Sequence, residues 1–405
     1  MADLFLVVDT GGSQTKIIYQ RSNADSPHYL FMPPEVERIS PQQLQLYQER
    51  LGWLGAPAPQ QQAWLTVNDE VWVVGAFANE FDPQNRLHEK KYENALYKVL
   101  ATIGVLVQKL NLPSPKLTIQ LGILLPWQEF NDQKSFQGQL RSMLANFQFR
   151  NLKLKVKLEA FICRPEGGGL AATRMRQQGI DWFQQQRLVV LLFGHRNTSA
   201  LYFEHGQFKH GDSPLYGFSQ MVNLVLERCS LLDSHALLMA LVKTMSHAKS
   251  QHIATSKEFY GASMKLSYPR WSGEEQIKAL ATARTQTLRD TEIKAIAQAI
   301  ETALDLYWQK LETWLNRVVP RPLDEAIISG GAALFLKPKL EAYFSDHRRR
   351  RSFYCRVAWD ANLEEPLQKA FRPGLSGSWE EAARLADAYG LFDQLLFTAA
   401  EGAKA

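Results

Sequence analysis

The polar segment at residues 9–16 has the residue types and spacing best suited to chemistry. It reads Asp-Thr-Gly-Gly-Ser-Gln-Thr-Lys and directly follows the β-prone run Leu4–Val8. Glycines let backbone amides approach a phosphate group without interference from a Cβ atom, and hydroxyl and ammonium groups can donate hydrogen bonds to it. The carboxylate of Asp9 is placed to hold a water molecule on Mg²⁺. The candidate phosphate-binding residues are Asp9, Thr10, Gly11, Gly12, Ser13, Thr15 and Lys16.

An ordinary polar β-hairpin explains the same segment, because Asp, Asn and Gly are common turn residues. The sequence also lacks two common nucleotide-binding patterns, GxxxxGK[ST] and a GxGxxG that opens a helix. Phosphate binding and a purely structural turn therefore both stay open for this segment taken alone.

Two strand-to-helix junctions later in the chain carry further candidate groups. An apolar run ends on the sequence Ser-Gly-Gly-Ala at residues 329–332, and a flat base or ribose could lie against its bare backbone. Glu166, which precedes three glycines, could polarise an attacking water molecule. Each has a structural alternative: the paired glycines can form a tight turn, and the helix dipole favours a carboxylate at a helix start.

Hydrophobic periodicity indicates an α/β protein with two halves that each begin with a strand, a turn and a second strand. Helices are predicted at 89–110, through most of 219–316 with a break at 268–273, and at 379–395. Residues 21–64 are rich in Pro, Gln and Ser and are expected to be loosely structured. With the boundary near 175–187, we expect one domain at 1–180 and a second at 181–405, which carries a largely helical insertion at about 220–315. Strands are predicted at 4–8, 15–20, 117–125, 152–161, 188–193, 198–203 and 325–329.

In chain order, these segments resemble the superfamily of actin, sugar kinases and heat-shock chaperone ATPases. Within it the chain looks most like bacterial actin-like proteins of the ParM/StbA type, over residues 9 to 391. Residues 9–16 resemble the first phosphate loop, Pro165-Glu166 the connecting helix whose Glu activates water, and residues 329–332 the adenosine motif. The loop at 210–217, which contains Asp212, resembles the Gly-Asp-Ser-x-Leu-Gly loop of ParM. The segments Lys91–Ala95 and Ala386–Gly390 resemble two helix motifs of the group.

The second phosphate loop departs from the superfamily pattern, apolar–Asp–x–Gly–x–x–Thr. Residues 191–198 keep Gly194 and Thr198 but have Leu192 where the Asp would stand, which predicts slow hydrolysis. Our hypothesis is that Arg196 partly replaces the charge of the metal next to the γ-phosphate; its alternative is that this side chain points to solvent. The candidate ligand-binding residues outside the first loop are Gly194, Arg196, Asn197, Thr198, Asp212, Gly330, Gly331 and Ala332.

Composition excludes several other classes of protein. Apolar residues make up 45% of the chain and charged residues 21%, which is ordinary for a globular protein and not for a disordered one. The net charge of +5 does not argue for nucleic-acid binding, and the basic run at 347–351 is expected to be a solvated loop. Three widely spaced cysteines, no long apolar run and no signal-like N-terminus favour a cytoplasmic protein with no membrane contact.

The resemblance implies an actin-like fold, in which two related α/β domains with ribonuclease H-like halves surround a nucleotide cleft. It implies ATP and ADP as ligands, Mg²⁺ near Asp9, and Glu166 as the catalytic residue that orients water. It also implies ATP-dependent self-assembly into filaments, with a possible adaptor protein linking them to DNA for plasmid segregation or intracellular positioning. Two alternatives stay open: a nucleotide-gated binding module that neither polymerises nor hydrolyses ATP efficiently, and a small-molecule kinase of the same superfamily.

Overall fold

The structure is a computed structural model that describes residues 2–51, 57–83, 90–112, 116–229, 232–256, 268–349, 355–371 and 379–402. The strands are β1 (Leu4–Thr10), β2 (Thr15–Arg21), β3 (His28–Met32), β4 (Val36–Ile39), β5 (Ala63–Val67), β6 (Glu70–Val74), β7 (Lys116–Leu125), β8 (Phe147–Phe149), β9 (Leu152–Pro165), β10 (Arg187–Phe193), β11 (Thr198–Glu204), β12 (Gln207–Asp212), β13 (Glu325–Ser329) and β14 (Arg356–Trp359). The helices are α1 (Pro41–Leu51), α2 (Lys91–Leu110), α3 (Gln133–Ala145), α4 (Gly168–Gln178), α5 (Ile180–Gln185), α6 (Phe218–Leu226), α7 (Ser234–Ser256), α8 (Glu275–Lys278), α9 (Gln286–Val318), α10 (Gly331–Arg349), α11 (Glu364–Ala370) and α12 (Trp379–Gly402).

The chain divides into two compact units. The first consists of Met1–Ile180 together with Asp360–Ala405, and the second of Asp181–Trp359. The sequence led us to expect that all of 181–405 forms one domain. In the structure, Asp360–Ala405 belongs to the first unit instead. The reason is the packing of α12, which lies against α4 and against β1, β2 and β7 of the first unit.

The first unit is built on a nine-stranded sheet with the order β3-β2-β1-β7-β9-β8-β5-β6-β4. Strands β1, β7 and β9 run parallel, whereas β1, β2 and β3 are joined as antiparallel neighbours. In β1 the side chains of Leu4, Leu6, Val7 and Val8 are fully buried. Such an uninterrupted apolar run is typical of a central strand that is covered on both faces.

Residues 21–64 are more ordered than the sequence suggested. The described part of this segment contains β3, β4, α1 and the start of β5, so the prediction of a loosely structured region was wrong. Strands β3 and β4 form the two edges of the nine-stranded sheet. Edge strands are half-solvated and often carry polar residues or flanking prolines, which weakens the alternation by which a strand is recognised.

The second unit is built on a five-stranded sheet with the order β12-β11-β10-β13-β14. Strand β10 pairs antiparallel with β11, as the sequence predicted, and parallel with β13, which in turn pairs parallel with β14. Helices α6, α7, α8 and α9 follow the third strand, and a short 3-10 turn at Trp271–Gly273 lies near the predicted break. Their apolar faces complete the core of this unit.

The two units share one arrangement of strands. Each begins with three antiparallel strands, and two further strands are added parallel to the first: 3-2-1-7-9 in one unit and 12-11-10-13-14 in the other. Two related halves, which the sequence pattern alone supported weakly, are therefore visible in the topology. Of the helices in the described part of the chain, none is both long and apolar enough to cross a bilayer.

Candidate functional site

The turn between β1 and β2 holds the first set of candidate residues. Strand pairing sets Asp9 opposite Lys16 and Thr10 opposite Thr15, so the turn itself consists of residues 11–14. Asp9 is buried, and its Oδ2 accepts a hydrogen bond of 2.5 Å from Lys16 Nζ. The hairpin thus places a carboxylate and an ammonium group side by side where the strands end.

The hydroxyl groups of Thr10 and Thr15 are buried at the base of this turn, and neither has a hydrogen-bond partner in the described structure. Ser13, at the tip, is exposed, and Gly12 is partly exposed. The tip of the turn is therefore open to solvent while its polar base is enclosed. Unpaired buried hydroxyls are uncommon, because each has lost its hydration without compensation.

Helix α2 brings Lys91 to the same place. Its Nζ lies 3.1 Å from Asp9 Oδ1 and 2.7 Å from Glu166 Oε1, and its side chain is only 6% exposed. Lys91 is the first residue of α2, where the dipole of the helix disfavours a cation. Two carboxylates compensate that cost, and the helix start is held against the sheet.

Glu166 is positioned by the end of β9. Its backbone N–H donates to Leu125 O at 2.8 Å, which continues the parallel pairing of β7 and β9 past the last paired residues. Gly167 follows with a φ of 91°, a left-handed conformation that glycine adopts without strain, and α4 begins at the next residue. The sharp change of direction keeps the Glu166 carboxylate beside β1.

Asp387, on α12, binds the start of α4. Its carboxylate accepts hydrogen bonds from the backbone N–H groups of Gly167 at 2.7 Å, Gly169 at 2.9 Å and Leu170 at 3.2 Å. The first N–H groups of a helix have no partner within the helix, and a carboxylate there satisfies them. Asp387 therefore fixes the backbone that carries Glu166.

Helices α4 and α12 can approach this closely because glycines face each other. A Cβ atom on Gly169 would lie 2.0 Å from Asp387 O, and one on Gly390 would lie 2.2 Å from Gly169 O. Real Cβ atoms do not make contacts this short with backbone oxygens, so both positions require glycine.

The charged groups of this cluster shift one another's pKa values. Burial alone would raise the pKa of Asp9, but the charges of Lys16 and Lys91 outweigh it and lower this pKa well below its usual range. Burial alone would lower the pKa of Lys91, but Glu166 and Asp9 raise it above its usual range. Both groups are therefore charged at neutral pH.

Asp387 behaves differently, because its charge is not balanced by an ammonium group. Burial, together with the negative charges of Asp9 and Glu166, raises the pKa of Asp387 to about 7, although the N–H groups of Gly167 and Leu170 favour its charged form. This carboxyl group therefore titrates near neutral pH.

The cluster does not form a preformed magnesium site. Both oxygens of Asp9 already accept from ammonium groups, as does Oε1 of Glu166. Throughout the described ranges, no group of three or more His, Cys, Asp or Glu residues is arranged to hold a metal ion. Mg²⁺ binds through oxygen ligands and usually one or two carboxylates, and at Asp9 it would have to share both oxygens with ammonium groups.

The second unit carries the corresponding hairpin turn, between β10 and β11, with Phe193 opposite Thr198 and Leu192 opposite Ser199. The carbonyl groups of Gly194, His195 and Arg196 accept hydrogen bonds from the first N–H groups of the segment at 217–219. The start of α6 is thus bonded to the turn.

Two candidate side chains of this turn take part in hydrogen bonds within the unit. Thr198 Oγ1 donates to Tyr216 O at 2.8 Å, and Asn197 Nδ2 donates to Ser199 Oγ at 3.2 Å. Arg196 is only partly buried. The turn is therefore held by hydrogen bonds of its own polar groups.

Asp212 and the 329–332 junction occupy two further places in the second unit. Asp212 Oδ2 accepts from Trp314 Nε1 and from Arg317 Nη2, each at 2.9 Å, which fastens β12 to α9. Gly330 has a φ of 103°, and a Cβ atom there would lie 2.4 Å from Phe193 O. Gly330 therefore lies against the last residue of β10, whereas Asp212 bonds to α9.

Sequence reasoning named Asp9, Lys16 and Glu166 as candidates, which the structure brings together, but assigned no site role to Lys91 or Asp387. Signals for both were present. Lys91 begins a helix with a long apolar face, at a position where the helix dipole disfavours a cation. Asp387 interrupts the apolar face of α12 between Leu385 and Leu391, both fully buried. A charge on a buried face implies a partner, although sequence alone does not name it.

Comparison with solved structures identifies the fold. ParM from Bacillus thuringiensis with AMPPNP is 11% identical, with a TM-score of 0.54, and the match covers 98% of this chain and 99% of that one. Ta0583, an archaeal actin homologue, is 13% identical with a TM-score of 0.52, and the apo pSK41 ParM protein is 12% identical with a TM-score of 0.51. Both also cover 98% of this chain and 99% of theirs. The protein has the actin-like fold, as the sequence predicted.

Comparison with protein-family models finds no match, and comparison with curated proteins finds none. At 11–13% identity, the structural matches establish the fold and leave the activity to be argued from the site.

Proposed function

We propose that the protein binds ATP and ADP, with the phosphate groups at the β1–β2 turn of the first unit. The observation that carries this proposal is the ion-pair cluster of Asp9, Lys16, Lys91 and Glu166 where β1 and β9 end, in which Lys16 is partly exposed and the other three are buried. Open sheets with parallel strands bind ligands at the carboxyl ends of those strands. The solved structures of ParM from Bacillus thuringiensis with AMPPNP and with ADP support the choice of nucleotide.

The groups of the turn suit a phosphate chain. The accessible backbone of residues 11–13 can present N–H groups to it, as anion-binding turns do. Lys16, whose side chain is 18% exposed, can extend one of its N–H donors to a phosphate oxygen. We therefore expect ATP and ADP to bind with this turn as their common contact.

We further propose that the protein hydrolyses ATP, with Glu166 orienting the attacking water. Phosphoryl transfer needs mainly positioning and charge stabilisation, so a fixed carboxylate and nearby ammonium groups are sufficient machinery. Asp387 fixes the Glu166 backbone, and Lys91 fixes its carboxylate. Leu192, in place of the Asp of the resembled pattern, leads us to expect slow turnover.

Self-assembly into filaments is the third part of the proposal. Among the matched structures is the Alp12 filament, 11% identical with a TM-score of 0.51. Actin-like proteins couple nucleotide state to subunit contact, so we expect assembly to depend on ATP. An adaptor protein that links the filament to DNA would then serve plasmid segregation or intracellular positioning.

Calorimetric titration with ATP, ADP and GTP tests nucleotide binding. We expect binding of the adenine nucleotides, weakened by at least about tenfold in Lys16→Ala, because a charge-assisted hydrogen bond contributes about 1.5–3 kcal/mol. The matched control is Lys109→Ala. This lysine is exposed in the last turn of α2, so its removal should leave the nucleotide affinity unchanged. Absence of binding by the unmodified protein contradicts the proposal.

Light scattering and electron microscopy with ATP, with ADP and without nucleotide test assembly. An increase in scattering and filaments that depend on ATP support the proposal. Tight ATP binding without filaments or phosphate release would instead favour a nucleotide-gated binding module, which Leu192 already makes the second candidate.

A further inference from the structure

Lys91 has an unusual position for a lysine. It is almost fully buried, and its single ammonium group bridges two carboxylates that come from different strands, Asp9 from the end of β1 and Glu166 from the end of β9. Lysine is rarely buried unless it is paired, and here it is paired twice. The geometry is that of a cation bound between two acidic ligands, except that this cation is covalently part of the chain.

The bridge uses two of the three N–H donors of Lys91. The third has no partner in the part of the chain that the structure describes, so a ligand oxygen can accept from it. Lys16 contributes a second ammonium group on the other oxygen of Asp9. The two positive charges balance the two negative charges of Asp9 and Glu166, so these four groups together carry no net charge that repels a phosphate.

The carboxylates that would attract a divalent cation are correspondingly occupied. A divalent ion that bound Asp9 directly would compete with Lys16 and Lys91 for its two oxygens. In addition, the chain has Leu192 where the resembled second loop has an Asp, so one acidic group of that pattern is missing from the sequence.

We propose that Lys91 is the built-in cation of the phosphate site, and that the protein binds a nucleoside triphosphate with little dependence on divalent metal. The inference rests on the proposed nucleotide binding and deepens it. A tethered ammonium supplies one positive charge that is present at all times, whereas Mg²⁺ supplies two and must first be recruited.

The test is the affinity of the unmodified protein for AMPPNP, measured by calorimetry with millimolar magnesium and again with excess EDTA. The two dissociation constants should differ by less than about tenfold, which corresponds to about 1.4 kcal/mol. Binding that is lost in EDTA overturns the inference and leaves nucleotide binding intact. No binding in either buffer overturns the proposed function as well, so the two failures are distinguishable.

Two variants assign the effect to Lys91. In EDTA, Lys91→Met should lower the affinity by at least about thirtyfold, and magnesium should restore much of it because the freed carboxylates can then take an ion. Lys90→Met is the matched control: this lysine is exposed, pairs with Asp132 at 3.0 Å and should leave both affinities unchanged. Equal affinity of Lys91→Met and the unmodified protein in EDTA overturns the assignment.

Removal of a buried cation can also unfold the protein. The double variant Lys91→Met/Glu166→Gln removes one charge of each sign and therefore avoids an uncompensated carboxylate. Circular dichroism verifies its fold, and its affinity in EDTA should fall as in the single variant. Retention of the unmodified affinity in the folded double variant contradicts the inference.

Discussion

The carboxylate of Asp387 accepts a hydrogen bond of 2.7 Å from the backbone N–H of Gly167, a residue 220 positions earlier in the chain. This contact joins the last described helix of the chain to the peptide directly after Glu166. The position of the proposed catalytic group therefore depends on the end of the chain as well as on the strand that precedes it.

Replacement of Asp387 by Asn should destabilise the first unit. The amide keeps one acceptor oxygen but directs N–H donors at backbone N–H groups, and such an unsatisfied buried group costs about 1–3 kcal/mol. Urea unfolding followed by circular dichroism gives the change. Asp393→Asn is the control: this carboxylate lies on the same helix, is half-exposed and pairs with Arg176, and an equal effect of both variants would contradict the assigned contact.

The same residue makes stability depend on pH. The pKa of Asp387 is raised to about 7 in the folded protein, so the folded state binds a proton at pH values where the unfolded chain has lost it. Its contribution to stability is complete below about pH 4, the usual range for Asp, and is lost as the pH rises through about 7. Unfolding free energies of the unmodified protein and of Asp387→Asn, measured from pH 5 to 8, should converge in that direction. A constant difference would show that Asp387 does not titrate there.

The glycines where α4 and α12 cross give a prediction about packing. Gly169→Ala and Gly390→Ala each place a Cβ atom about 2 Å from a backbone oxygen, which forces the helices apart and should cost about 1–3 kcal/mol or more. Gly138→Ala is the control, because no atom lies within 4 Å of the added Cβ on α3. Alanine is the better helix former, so this variant should be neutral or stabilised by up to about 1 kcal/mol. Thermal unfolding of all three tests the prediction, which fails if Gly138→Ala is as destabilised as the others.

Glu166→Gln should separate binding from turnover. The amide keeps the shape of the side chain but orients water poorly, so phosphate release should slow by about 10²–10⁴-fold while the affinity for ATP changes little. A coupled phosphate assay and calorimetry measure the two quantities. Glu93→Gln, an exposed carboxylate on the first turn of α2, should leave both unchanged. Unaltered turnover in Glu166→Gln would remove this residue from the mechanism.

Arg196 provides a test of the turn in the second unit. If its guanidinium group lies next to the γ-phosphate, Arg196→Ala should weaken ATP binding by about tenfold and ADP binding less, because a charged hydrogen bond to the third phosphate is lost. The control is Arg228→Ala, an exposed arginine of the same unit. If Arg196→Ala and the unmodified protein have the same ATP affinity and turnover, Arg196 does not contact the γ-phosphate.

The sequence by itself determined the local parts of this protein. Apolar runs specified β1, β10 and β13, because central strands buried on both faces leave a continuous hydrophobic signature. The sequence also predicted the small polar turns after β1 and β10 and the strand-to-helix junction at Glu166. Such turns depend on the types of a few neighbouring residues.

Only the tertiary structure decided which distant groups meet. Lys91 reaches Asp9 across 82 positions, and Asp387 reaches Gly167 across 220, and no local pattern encodes either pairing. Edge strands β3 and β4 were hidden in a polar, proline-rich stretch because they are only partly buried. A charge on a buried helix face, such as that of Lys91 or Asp387, indicates that a partner exists. Which partner it has depends on how α2 and α12 pack on the nine-stranded sheet.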